Sequence, residues 1–272
     1  MRKQALNICK SIIKWFRKPI VKLLGFNLVN KHTGVYTAQD IAIAQNFSKV
    51  IKNILTCSET ELHSYDFILR QVTDCKIANM PGGPGGENFG KWEKYINPSG
   101  IGLIQSPGEF AEFALYLTDL KIQNAVEIGV CYGLTGYFLC ALLQRVNPSV
   151  KYYMVDISES NLFCFDLFAN ILNIKKYIPA TSEFFEGEKF DFVFIDGDHS
   201  YQGVTGDILN LGQHAQVCVA FHDVYGHEYD GLSGGVCRAW QEFMANYKER
   251  FKAKVFSEYP DKWLGIGVGE KI

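Results

Sequence analysis

The residues whose types and spacing could do chemistry cluster behind three apolar runs. The stretch FDFVFIDGDHSYQGVTGDILN puts Asp196, Asp198 and His199 in the turn after one run, and CVAFHDV puts His222 and Asp223 after the next. If those runs are neighbouring strands, about 4.8 Å apart, Asp196 and Asp223 converge on a crevice outside the strand ends, where open α/β sheets bind ligands. Two carboxylates with a neighbouring ligand suit a hard divalent ion such as Mg²⁺ or Mn²⁺. Such an ion binds and acidifies a hydroxyl. His199, three residues beyond Asp196, could then take the proton, since an ordinary imidazole pKa of about 6.5 suits a base near neutral pH. Taken alone, Asp198 or His199 reads equally as a turn or cap residue. The recurrence of His222-Asp223 at the next strand end favours a site.

The third run ends in Glu127-Ile-Gly129-Val-Cys131-Tyr-Gly133-Leu-Thr135-Gly136. A glycine-rich turn between strand and helix aims backbone N–H groups at a ligand. A dinucleotide fingerprint from Gly129 would need glycines at 131 and 134, where this chain has Cys131 and Leu134. A nicotinamide-dependent oxidoreductase is therefore the weaker alternative. Glu127, inside the strand, can accept from an ammonium group. Asp156, at the end of the following strand, can take ribose hydroxyls. A ligand with both an amino-acid and an adenosine part is S-adenosylmethionine. The bland readings are a satisfied buried acid at 127 and a helix cap at 156.

The elements that must position these residues are legible as rhythm. Strands are expected at 125–130, 151–157, 176–180, 191–197 and 216–223, with helices at 132–146, 158–174, from 198 to about 211, and 235–251. Such alternation implies a mostly parallel sheet with helices on both faces. KAKVFSEY and WLGIGVG add two strands without a helix between them, and hence an antiparallel edge strand. Upstream, 37–80 reads as helical, PGGPGGENFG (81–90) as a linker or lid, and Ser106-Pro107 as a helix start. The expected segments are a basic amphipathic helical extension (1–36), a helical region with the glycine-rich loop (37–100), and the main α/β domain (101–272).

Composition limits the partners. The 272 residues are 47% apolar and 21% charged, which excludes disorder. The net charge of −2 hides an asymmetry. Residues 1–31 hold eight Lys and Arg and no acid, leaving 19 bases against 29 acids in the rest. So acidic a body is a poor phosphate binder, and nucleic acid is not an expected partner. The eight cysteines show no C-x-x-C pair or metal-ligand spacing, as expected of reduced thiols in a cytoplasmic protein. In the tail, Ala5, Cys9, Ile12, Phe16, Ile20 and Leu23 recur at helical steps, with Pro19 as an interruption. Such a helix either lies on an anionic membrane surface at the inner face or packs on its own domain or a second subunit, giving a homo-oligomer.

Taken in order, VEIGVCYGLTGYFL, YYMVDIS, FDFVFIDGDHSYQGVTGDI, VAFHDV and GVCRAWQEF resemble a class I S-adenosylmethionine-dependent methyltransferase, of the group similar to macrocin O-methyltransferases. The resemblance covers roughly 100–272. It implies a Rossmann-like doubly wound sheet and O-methylation of a sugar, glycan or glycosylated small molecule. By resemblance, Glu127, Gly129, Gly133 and Thr135 lie around the methionyl part. Asp156 with Ile157 lies at the ribose, and Ser182 near the adenine. Asp196, His222 and Asp223 would carry the metal, with His199 as base and Asp196 beside it in catalysis. Two departures stand out: Cys131 replaces a frequent glycine, and His222 stands where related metal-dependent enzymes carry an acid. A non-catalytic membrane-surface module on the same fold is the remaining alternative.

Overall fold

The computed structural model describes residues 38–79, 90–159, 161–226, 234–258 and 264–272. The basic extension, most of the glycine-rich loop and the tip of the 224–234 loop lie outside these residues. Three helices come first: α1 (Ala38–Thr56), α2 (Glu59–Leu62) and α3 (Tyr65–Asp74). Ser58 and Glu61 form a reciprocal capping box on α2, and Ser64 caps α3, which explains two short helices in quick succession. Helix α4 (Pro107–Thr118) starts with Pro107 in its first turn.

The alternating part follows as β1 (Asn124–Ile128), α5 (Leu134–Val146), β2 (Lys151–Val155), α6 (Phe165–Ala169), β3 (Ile174–Tyr177) and β4 (Phe192–Ile195). It continues through α7 (Tyr201–Asn210), β5 (Cys218–Phe221), α8 (Gly235–Tyr247), β6 (Phe251–Phe256) and β7 (Ile266–Lys271). The seven strands lie in the order β3-β2-β1-β4-β5-β7-β6. The first five are parallel, and β7 runs against both β5 and β6. The chain reverses its winding between β1 and β4, which opens a crevice at the carboxyl ends of those strands.

Both faces of the central parallel strands are covered, and β4 (FVFI) and β5 (CVAF) are accordingly apolar throughout. On one face Phe192, Phe194, Tyr152 and Met154 meet α4 and α5 through Phe113, Tyr137 and Phe138. Phe47, Val50 and Ile51 of α1 join the same core, so residues 38–79 pack as part of the main body. On the other face Val193, Ile195, Val219 and Phe221 pack under Val204, Ile208, Trp240 and Phe243 of α7 and α8.

One expected helix is largely absent. Among the described residues of 158–174 only Phe165–Ala169 is helical. The Phe163 amide donates instead to the Tyr132 carbonyl (3.0 Å), and Cys164 turns left-handed at φ +49°. Burying Phe163 under the first loop thus overrides local helix preference. Strand β3 also lies earlier than expected, at 174–177 rather than 176–180.

Candidate active site

The turn after β1 exists because of Gly129. Its φ is +83°, and a Cβ there would stand 2.1 Å from the Asp196 carbonyl oxygen. Only glycine lets β1 and β4 close so tightly over the cleft. Cys131 adopts φ +43°, the region glycine fills without strain. The amides of Val130 and Cys131 donate to one Asp156 oxygen (2.8 and 3.3 Å), and the Ser158 amide donates to the other (3.0 Å). Asp156 therefore holds the loop as well as facing the cleft.

Glu127 is fully buried at the cleft floor. The Tyr152 hydroxyl donates to its Oε2 (3.2 Å), while Oε1 has no hydrogen-bond partner. A Cβ at Gly136 would fall 2.3 Å from Oε2, so this glycine makes the room. Burial, with the Asp196 charge adding, pushes the Glu127 carboxyl well above its usual range; Tyr152 opposes only weakly. A buried carboxyl with an unmet oxygen is a receptor for a cation.

His199, at the head of α7, sits between the two acids contributed by β4 and β5. Its Nε2 is 3.7 Å from Asp196 Oδ1, and its Nδ1 is 3.4 Å from Asp223 Oδ2. The interaction with Asp196 lifts its pKa to about 9; burial opposes this, and the charges of Asp223 and Asp196 add to it. Asp223 reaches this position from a left-handed backbone, φ +60°. His222, 3% exposed, places Nδ1 at 3.2 Å from Asp196 Oδ1 and 3.1 Å from Asp223 Oδ1. Burial disfavours its charge, but Asp223 and Asp196 outweigh burial and hold the imidazole well above its usual range. Burial likewise pushes Asp196 up, and His222 and His199 reverse this, holding it well below the usual carboxylate range.

The cleft encloses about 880 Å³ and is lined by Glu127, Gly129, Thr135, Asp156, Ile157, Ser182, Asp196, His199, His222 and Asp223. Gly133 is not among its lining; at φ +79° it serves as the N-cap of α5. Three residues escaped the sequence reading. Gln105 donates to Asp196 Oδ2 (3.1 Å) and accepts from Thr135 Oγ1 (2.7 Å), tying two predicted residues together. Glu109, on the buried face of α4, lies 4.0 Å from His222 Nε2, and burial with the Asp223 charge lifts it to about 8 against His222. Asp207 lines the far end near Ser182, with burial raising it to about 6. Only Glu109 left a trace in the sequence: an acid one helical turn before Phe113, on the apolar face.

The expected metal ligands meet, but they do not form a ligand set as arranged. A ligating imidazole presents a deprotonated nitrogen, whereas His222 Nδ1 already lies against an oxygen of each carboxylate, at 3.2 Å from Asp196 and 3.1 Å from Asp223. Its charge also opposes a second cation. Among the described residues no group of three or more His, Cys, Asp or Glu is arranged to hold a metal ion.

Residues 126–224 match the family model for a methyltransferase domain, the methyltransferase 24 type. Among solved structures, the chain is similar to the O-methyltransferase TomG from Streptomyces achromogenes, involved in tomaymycin synthesis and solved with SAM. The two are 15% identical, with 62% of this chain and 81% of that one covered and a TM-score of 0.49. It is also similar to an O-methyltransferase from Bacillus cereus solved with SAH, at 17% identity, 84% and 100% coverage and a TM-score of 0.48. No curated protein matches. The segment that matches a methyltransferase domain lies on the strands that carry the cleft.

Proposed function

We propose that the protein transfers a methyl group from S-adenosylmethionine to a hydroxyl of a sugar, glycan or glycosylated small molecule, with His199 as the base. The observation that carries this is the convergence of Glu127, Asp156 and the Asp196–His199 pair on one cleft. When bound, the cofactor supplies a methyl group activated by a sulfonium. Glu127 fits its ammonium group, because a buried oxygen there lacks a partner. Asp156 fits the ribose, and Ser182 with Asp207 borders the place left for the base. His199, about one-third exposed toward the cleft, takes the hydroxyl proton, and the carboxylates beside its two nitrogens stabilise the imidazolium that forms. The remaining work is alignment of the acceptor oxygen, which supplies a large part of such rate enhancements. The sugar-like acceptor rests on the sequence resemblance, and a hydroxyl is the acceptor class that needs this base. The basic extension is proposed to attach the protein to an anionic membrane face or to mediate self-association.

The test is direct. S-adenosylhomocysteine should raise the melting temperature and NAD should not, because only a native-state binder stabilises. Labelled S-adenosylmethionine with a fractionated glycan extract should then label a hydroxyl-bearing product. A shift with NAD alone sinks the reading.

A further inference from the structure

Asp196 and Asp223 each turn an oxygen toward one enclosed place in the cleft. In this cleft the group between them is part of the chain. His222 Nδ1 stands 3.1 Å from Asp223 and 3.2 Å from Asp196, and the ring is almost wholly enclosed. A third acid, Glu109, lies behind the ring at 4.0 Å from Nε2, and Gln105 holds the outer oxygen of Asp196. His199 faces the same two carboxylates from the cleft side. The acids surround His222 on both edges, as they would surround a bound ion.

We propose that His222 occupies the place a divalent ion would hold, its ring standing between an oxygen of Asp196 and an oxygen of Asp223, so that this site operates without a metal. As a statement about catalysis this rests on the methyl-transfer reading above; its geometry does not. The consequence is a division of labour. No ion acidifies the acceptor hydroxyl, so proton removal falls to His199. His222 acts as a positioning residue: it sits against both acids that flank His199 and holds them in place.

The experiment measures binding and ring chemistry separately from turnover. Mn²⁺ titrated into the full-length protein, followed by the electron paramagnetic resonance of the free ion, should show no stoichiometric site. Histidine-labelled protein at neutral pH should give His222 a ring spectrum with both nitrogens protonated, assigned by its loss in His222→Gln. His222→Asp, which restores a third carboxylate, should bind Mn²⁺ at least about tenfold more tightly than the wild type, the scale on which metal sites respond to single changes. Stoichiometric Mn²⁺ binding by the wild type, or a His222 ring with one bare nitrogen, overturns the proposal. If His222→Asp does not fold, the wild-type titration decides. S-adenosylhomocysteine binding, measured on the same sample by thermal shift, separates the two readings. Mn²⁺ uptake with that shift intact removes only the metal-free site, and no shift removes only the methyl-transfer assignment.

Discussion

His199 is raised to about 9 by the acids that hold it, which sets the pH at which it can act. A base must be deprotonated to work. The kcat/KM of the wild type should therefore climb about tenfold per pH unit and level off near pH 9. His199→Ala should remove that limb and lower kcat by roughly 10²–10⁴ while S-adenosylhomocysteine affinity stays within about twofold. Equal cofactor loss in the variant would mean the ring binds rather than reacts. Glu109 gives a stability test. Its folded pKa of about 8 lies above its ordinary 4.5, so the fold favours the protonated form. Its contribution is complete below the ordinary value and is lost as pH rises through the folded one, by at most about 1.4 kcal/mol per unit. Urea melts of Glu109→Gln should show a flatter pH dependence than the wild type across this window. The paired acids and histidines were legible in the sequence because they recur at strand ends. Gln105 was not, since a single buried polar residue before a helix has no pattern to betray it, and Glu109 left only its place on the apolar face of a helix.

Strand ends and the turns behind them do the positioning, and the β1–α5 turn is the least tolerant. Gly129→Ala must push either the Asp196 carbonyl or the loop aside, because the new Cβ would overlap the Asp196–Gly197 backbone just after β4. Such backbone conflict at a positive φ costs about 3 kcal/mol or more. The variant should lose cofactor binding in calorimetry and melt at a lower Tm; retention of both would mean the loop has slack elsewhere. Gly187→Ala, at the same kind of φ but with open space around it, should cost much less. The central strands β4 and β5 were readable because burial on both faces makes them continuous apolar runs. Segment 158–174 was misread as one helix for a related reason: Phe163 and Phe168 are apolar at wide spacing, but Phe163 answers to Tyr132 across the loop and not to its own neighbours.

The whole chain combines a sheet that buries its acids with an extension that carries bases only. If the extension is a membrane anchor, deleting residues 1–30 should abolish salt-sensitive cosedimentation with anionic vesicles and leave S-adenosylhomocysteine affinity unchanged. Eight bases near such a surface are worth up to about 1 kcal/mol each before screening. An intact protein that ignores these vesicles at low salt assigns the extension to packing or self-association, and the deletion should then alter the sedimentation coefficient. The strands do not lie in the sheet in the order in which they are synthesised. Strand β7 enters between β5 and β6, pairing with both, although both precede it in the chain. Until it arrives, β5 has an open flank and β6 lacks the strand it pairs with in the finished sheet. Leu264, which lines the cleft, and Gly265, whose amide faces Glu109, lie just before β7. Translation therefore delivers the last wall of the cleft together with the strand that locks the sheet. A nascent chain stalled before that strand carries every acid and histidine of the site and still has no finished cleft, so cofactor capture becomes a readout of completed folding.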